Sequence, residues 1–137
     1  KELGVNISFI TDGDICGAIS VAYPNKKVDI YLGIGGAPEG VLAAAALKCL
    51  GCQMQSRLYF QNPNEKNRAI KLGVKDLDKK YNIEDMVRGD VIFCATGVTD
   101  GDFVKGIKIF NDSYDSETLV LHKSSKINKI VKHHTKK

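Results

Sequence analysis

Three turns in this chain hold residues whose types and spacing suit chemistry. Asp12-Gly13-Asp14, Gly36 with Glu39, and Thr99-Asp100-Gly101-Asp102 each set carboxylates beside glycine. Together they offer five carboxylates, and oxygen donors of this kind suit the hard cations Mg²⁺ or Mn²⁺ better than zinc. The chemistry that follows is phosphoryl transfer, in which bound cations neutralise phosphate charge, lower the pKa of a water and hold nucleophile and leaving group in line. Taken singly, each turn also reads as an ordinary bend whose aspartates cap helices. Spacing alone leaves the substrate open.

The elements that must position these turns are legible in outline. Residues 33–48, GIGGAPEGVLAAAALK, join a glycine turn to an alanine-rich helix. Gly33, Gly35 and Gly36 are expected to take positive φ and to come close to a ligand, and Pro38 has a φ suited to the start of a helix. Glu39 then falls in the first turn, where free N–H groups and the helix dipole favour a carboxylate or a phosphate. The run from Val41 to Leu47 has almost no polar residue and is expected to be buried. Strands are expected at 5–10, 28–32, 53–60 and 91–95, helices at 14–21 and 64–72, and a polar helical turn region at 76–86. Residues 118–121 and 127–131, joined by Lys123-Ser124-Ser125-Lys126, read as a terminal hairpin. Strands feeding helices through short turns argue for an α/β layered domain with ligands gathered at strand ends. No internal repeat or linker divides the 137 residues, which amount to one domain by size.

Charge and cysteine content narrow the classes. Apolar residues are 43% and charged residues 26% of the chain, ordinary for a globular protein. No apolar run reaches a membrane span, and the start, Lys1-Glu2-Leu3-Gly4, has neither Met nor a signal-peptide core, so the chain reads as truncated at its beginning. Six lysines after residue 122, with no acid among them, make the tail basic and leave the body slightly acidic. A nucleic-acid module could use Lys123, Lys126, Lys129, Lys132, Lys136 and Lys137, but there is no Trp and the tail has no interleaved aromatics to stack bases. His122, His133 and His134 read as surface residues. Cys49 and Cys52 form a C-x-x-C at the end of the helix, and Cys16 and Cys94 are isolated. Neither a zinc site nor a redox pair fits that arrangement, so buried, reduced thiols of a cytoplasmic protein are expected.

The wording of three segments is more specific than their chemistry. Residues 12–19 (DGDICGAI), 33–45 (GIGGAPEGVLAAA) and 95–102 (ATGVTDGD) closely resemble the class II fructose-1,6-bisphosphatases, in the right order and from about Lys1 to about Val131. The resemblance covers that family's C-terminal half only. It implies a layered α-β-α sandwich of the metal-dependent, lithium-sensitive sugar phosphatase type, with most catalytic groups and metal ligands in the N-terminal half. By the same resemblance Asp12, Gly13 and Asp14 contact the sugar phosphate, Gly36 also contacts substrate, and Glu39 binds Mn²⁺ or Mg²⁺. The implied reaction is hydrolysis of the 1-phosphate of fructose 1,6-bisphosphate to fructose 6-phosphate and phosphate, in gluconeogenesis. When complete, the enzyme is expected to be a cytoplasmic homo-oligomer with no nucleic-acid or membrane partner. Asp100 and Asp102 lie in a family motif without an assigned role, and Cys16 stands where small residues are usual. Alone, the chain is expected to be inactive. The rival reading is a non-catalytic or partner-dependent fragment, with sedoheptulose 1,7-bisphosphate as a further substrate when complete.

Overall fold

The computed structural model describes residues 2–135. Gly13, at φ 75°, turns the chain into the helix α1 (Asp14–Ser20), with Asp14 in the first turn where its charge suits the helix dipole. A single 3₁₀ turn, Pro24–Lys26, follows. Helix α2 (Ala37–Leu50) begins with Gly36 as its N-cap and Pro38 in the first turn. It is closed by Gly51 at φ 71° and by a 3.0 Å bond from the Cys52 N–H to the Leu47 carbonyl, a left-handed glycine stop. Strand β1 (Gln55–Ser56), helix α3 (Pro63–Lys71), strand β2 (Tyr81–Asn82) and helix α4 (Ile83–Met86) come next. The last part is all strand: β3 (Ile92–Thr96), β4 (Lys108–Ile109), β5 (Ser113–His122) and β6 (Ser125–Thr135).

The molecule is built from helices packed on sheets, an α/β architecture, yet every strand pair among the described residues is antiparallel. β5 is the spine of the four-stranded sheet. β6 pairs along it from Ser113↔Thr135 to His122↔Ser125, while β3 and β4 pair with its two ends. The hairpin is therefore longer than its sequence suggests, because pairing with β5 carries the ladder on through Lys132, His133 and His134, where no apolar periodicity marks a strand. Lys136 and Lys137, like Lys1, lie outside the described residues.

Helix α2 is the centre of the core. Ala43, Ala44 and Leu47 pack with Ala18 of α1 and with Ile83 and Val87 at α4. Ala46 faces the other way, into a cluster of Ile19, Phe93, Leu119 and Leu121 against the sheet. Small side chains allow close approach on both sides, which explains why this helix lacks a polar face over that span. Lys48 fastens its C-terminal end, donating to the Glu84 carboxylate and to the Val87 carbonyl, each at 2.8 Å.

Several expectations need correction. Residues 5–10 and 28–32 belong to no sheet; their alternating apolar pattern encodes strands, but a strand exists only with a partner, and the described residues supply none. The 53–60 strand shrinks to Gln55–Ser56, and 76–86 resolves into β2 and α4, whose first turn is held by a 3.0 Å bond from the Asn82 N–H to the Asp85 carboxylate. Val41 and Leu42 are half exposed rather than buried, since they lie before the stretch of α2 that α1 and the sheet cover. Cys16 and Cys94 are exposed and Cys49 and Cys52 partly buried, so only the expectation of four free thiols holds. Cys94 alternates with buried Phe93 along β3 and faces the uncovered side of the sheet.

Candidate functional site

Two loops meet beside α1, and together they form the candidate site. One is the Asp12-Gly13-Asp14 turn and the other is the glycine run that ends at Gly36. A side chain on Gly35 would come within 2.6 Å of the Asp14 carboxylate, and one on Gly36 would collide with the carboxylate of Glu39. The glycines are thus there for close approach. None of Gly33, Gly35 and Gly36 takes the expected positive φ, which falls instead at Gly13; Gly36 is extended at φ −66°, ψ 150°, where it admits the Glu39 side chain and caps α2. Glu39 stands in the first turn of α2 and folds back over the cap, in the field of the helix dipole. Asp12 is exposed at the rim of the turn.

Tyr31 is the site residue that sequence reasoning passed over. Its ring packs against Gly17 of α1, where a Cβ would come within 2.7 Å of it, and its hydroxyl lies 2.6 Å from the Cβ position of Gly33. The Asp14 carboxylate stands near it, and burial first, then the Asp14 charge and hydrogen bonding to that carboxylate, push the phenol above its ordinary pKa. Tyr31 thus lines the same turn as the Asp14 carboxylate, its hydroxyl against Gly33 and the carboxylate against Gly35. The signal was present in the alternation of residues 30–34, where Tyr31 falls on the opposite phase from Ile30, Leu32 and Ile34.

The third turn does not join this pair. Asp100 accepts from the Gly106 N–H at 2.9 Å and so ties its own loop shut. Asp102 pairs with Lys26 at 3.0 Å, and Lys26 also lies 5.1 Å over the Phe103 ring. Asp102 together with partial burial raises the Cys16 thiol, burial being the larger cause, which argues against a reactive thiolate there. The histidines have partners on the hairpin: His133 and Asp115 at 2.6 Å, His134 and Ser116 at 3.0 Å, and His122 with Ser124 at 2.8 Å.

The donor chemistry at Glu39 fits a hard cation, but the number of donors does not. Mg²⁺ and Mn²⁺ favour octahedral oxygen sites, and among the described residues no three His, Cys, Asp or Glu side chains gather closely enough to hold a metal ion. The five carboxylates of the three turns are not one cluster. Glu39 can be a single ligand in a centre that other residues complete.

Gly36→Ala tests the close approach directly. The methyl group meets only the end of a flexible side chain and φ is unrestrained, so folding stability is expected to change by no more than about 0.5 kcal/mol. The Glu39 carboxylate must nevertheless swing off the cap. Thermal unfolding together with a crystal structure of the variant checks both statements.

Over residues 1–135 the chain matches the family model described as "Bacterial fructose-1,6-bisphosphatase, glpX-encoded", and it belongs to that family. Among curated relatives, it is 39% identical over 139 residues to the D-fructose 1,6-bisphosphatase class 2/sedoheptulose 1,7-bisphosphatase of Synechococcus sp. (strain JA-2-3B'a(2-13)), covering 92% of this chain and 40% of that protein. It is 41% identical over 144 residues to the fructose-1,6-bisphosphatase class 2 of Haemophilus influenzae, covering 94% of this chain and 43% of that protein. The chain thus spans about 40% of the length of the curated relatives it matches.

Proposed function

We propose that this chain is the substrate-facing C-terminal portion of a class 2 fructose-1,6-bisphosphatase, which hydrolyses the 1-phosphate of fructose 1,6-bisphosphate to give fructose 6-phosphate and phosphate. The observation that supports this most is the meeting of two loops at one place: Asp14 against Gly35, with Tyr31 against Gly33 beside it, and Glu39 folded over Gly36. In this reading the chain's own residues bind and orient. The carboxylates of Asp12 and Asp14 accept hydrogen bonds from sugar hydroxyls, since ionised carboxylates only accept. Gly13 lets the sugar phosphate approach the backbone where a side chain would stand in the way, and Gly36 meets the substrate alongside the Glu39 carboxylate that folds over it. Glu39 supplies one oxygen ligand to Mn²⁺ or Mg²⁺. Such a cation, when bound, offsets phosphate charge and acidifies a coordinated water.

The architecture proposed for the whole is the layered α-β-α sandwich of lithium-sensitive sugar phosphatases, in a cytoplasmic homo-oligomer serving gluconeogenesis. No helix among the described residues is long and apolar enough to cross a membrane. Sedoheptulose 1,7-bisphosphate is a second substrate in this reading, because the Synechococcus relative is named for both activities.

The test uses a chain extended to family length with the remaining sequence of the Haemophilus influenzae relative. The extended protein should release phosphate from fructose 1,6-bisphosphate when Mn²⁺ or Mg²⁺ is supplied and stop when the metal is chelated, while the chain alone releases none. Release insensitive to chelation, or no release from either sugar bisphosphate, rejects the proposal. In the extended protein Asp14→Asn keeps the size of the side chain but loses the charged acceptor. A bond to a charged group contributes roughly 1.5–3 kcal/mol, so KM should rise about tenfold or more with kcat little changed. An unchanged KM removes Asp14 from the substrate contacts.

A further inference from the structure

The glycine loop meets helix α1 at two levels. At the first turn of the helix, the Asp14 carboxylate stands 2.6 Å from the Cβ position of Gly35. One turn further along, the Tyr31 ring stands between loop and helix. Atoms Cε2 and Cδ2 on one edge of that ring lie 2.7 and 3.2 Å from the Cβ position of Gly17, while Cε1, Cζ and the hydroxyl on the other side lie 3.2, 3.0 and 2.6 Å from that of Gly33. Neither glycine has room for a methyl group while the ring is in place, so the ring acts as a spacer. Gly17 follows Asp14 by three residues and therefore shares its face of α1, which puts the spacer directly behind the carboxylate.

Of the two partners, the ring is the firmer. It packs against the buried cluster of Ala18, Ala43, Ala44 and Leu47 that joins α1 to α2. Ile10 shares the Gly17 surface with it, its Cδ1 also 2.7 Å from that Cβ position. The loop has little else to hold it: every residue from Asp29 to Glu39 is exposed except Tyr31, and the stretch before α2 belongs to no strand.

We infer that Tyr31 is a positioning residue for the substrate side of the site: its ring, rooted in the core, holds the 33–35 backbone at a set distance from α1 and so fixes the gap between that backbone and the Asp14 carboxylate. Glu39 does not depend on it, because α2 carries that residue and is packed on both sides through its own alanines. What enters the gap, a sugar hydroxyl with its phosphate, rests on the phosphatase reading; the spacing itself does not.

The experiment compares variants of the extended protein. Tyr31→Leu removes the ring and lets the loop settle toward α1, so KM for fructose 1,6-bisphosphate should rise about tenfold while the Mn²⁺ concentration at half-maximal rate stays within about twofold of the parent. Tyr31→Phe keeps the ring and should hold KM within about threefold of the parent. Gly33→Ala, at a backbone position outside the positive-φ region, presses a methyl group onto the ring from the loop side and should raise KM by itself. Because it acts with the ring in place, it tests the spacing even if Tyr31→Leu does not fold. Combined with Tyr31→Leu it should be non-additive by at least about threefold, since the missing ring leaves the methyl group room. A crystal structure of Tyr31→Leu should show residues 33–35 closer to α1 and Glu39 unmoved. An unchanged KM in Tyr31→Leu and in Gly33→Ala, a Tyr31→Phe variant as impaired as Tyr31→Leu, additivity of the pair, or a half-saturating Mn²⁺ that rises in step with KM would each overturn the inference. An extended parent that releases no phosphate removes the phosphatase reading alone; the crystal structures then decide, a loop closed on α1 upholding the spacer and an unmoved loop overturning it.

Discussion

Glu39→Gln in the extended protein is expected to lower phosphate release at limiting Mn²⁺ by about a hundredfold or more, because cation stabilisation of transferring phosphoryl groups is worth several kcal/mol. The substitution keeps size and helix position, and the amide oxygen can still fold over Gly36. What it removes is the anionic charge that offsets a divalent ion. Raising Mn²⁺ should restore part of the activity, since a weaker ligand shifts occupancy before it changes chemistry. Turnover equal to the parent at limiting metal would dismiss Glu39 as a ligand. Gly36→Ala should fall between the two, as it displaces the carboxylate without discharging it.

The largest loss of stability is expected from Gly106→Ala. The loop at 97–101 crosses the chain at 105–107 with the two backbones in contact. A Cβ on Gly106 would lie 2.7 Å from the Thr99 carbonyl carbon and 2.9 Å from the Asp100 nitrogen, and one on Gly97 would collide with the Lys105 carbonyl. None of these atoms can swing aside as a flexible side chain does. The crossing is held by the Gly106 N–H to Asp100 at 2.9 Å and the Gly101 N–H to Val104 carbonyl at 2.9 Å, both of which must loosen if the chains are pushed apart. Overpacking of this kind costs about 2–3 kcal/mol, which for a chain of this size lowers the melting midpoint by roughly 6–15 °C. Gly101→Ala is the control: its nearest neighbour is the Val104 carbonyl oxygen at 3.6 Å, so the midpoint should scarcely move. Equal losses from both would point to the loop's flexibility and away from the crossing.

The parts of this protein written in local sequence were the readable ones. Helix α2 announced itself through Pro38 and its alanines, and α3 through the periodicity of residues 64–72; the cap of α3, Asn62, whose side chain accepts from the Glu65 N–H at 3.1 Å, came only with the structure. The Asp12-Gly13-Asp14 turn and the Gly36–Glu39 pair were legible as acidic bends, and the structure brings both to one place beside α1. Asp100 looked the same on paper, but its hydrogen bond goes to its own loop, a distinction that depends on where the chain returns six residues later. Strand β4 is only Lys108–Ile109 and takes its identity from pairing with Tyr114 and Asp115, so no periodicity could reveal it. The opposite failure occurred at 5–10 and 28–32, where the pattern is strong and the partner strand is not among the described residues.

Helix α2 is a rod of 14 residues, about 21 Å long, wedged by alanines between two layers, with Glu39 at its tip. Its far end is anchored by Lys48, so any larger residue at Ala44 or Ala46 must tilt the whole rod, because neither neighbour has slack to absorb a methyl group. The aim of the acidic tip is therefore inherited from contacts roughly one and a half to two and a half turns behind it, and a mutational survey confined to the glycine bends would miss the residues that set it.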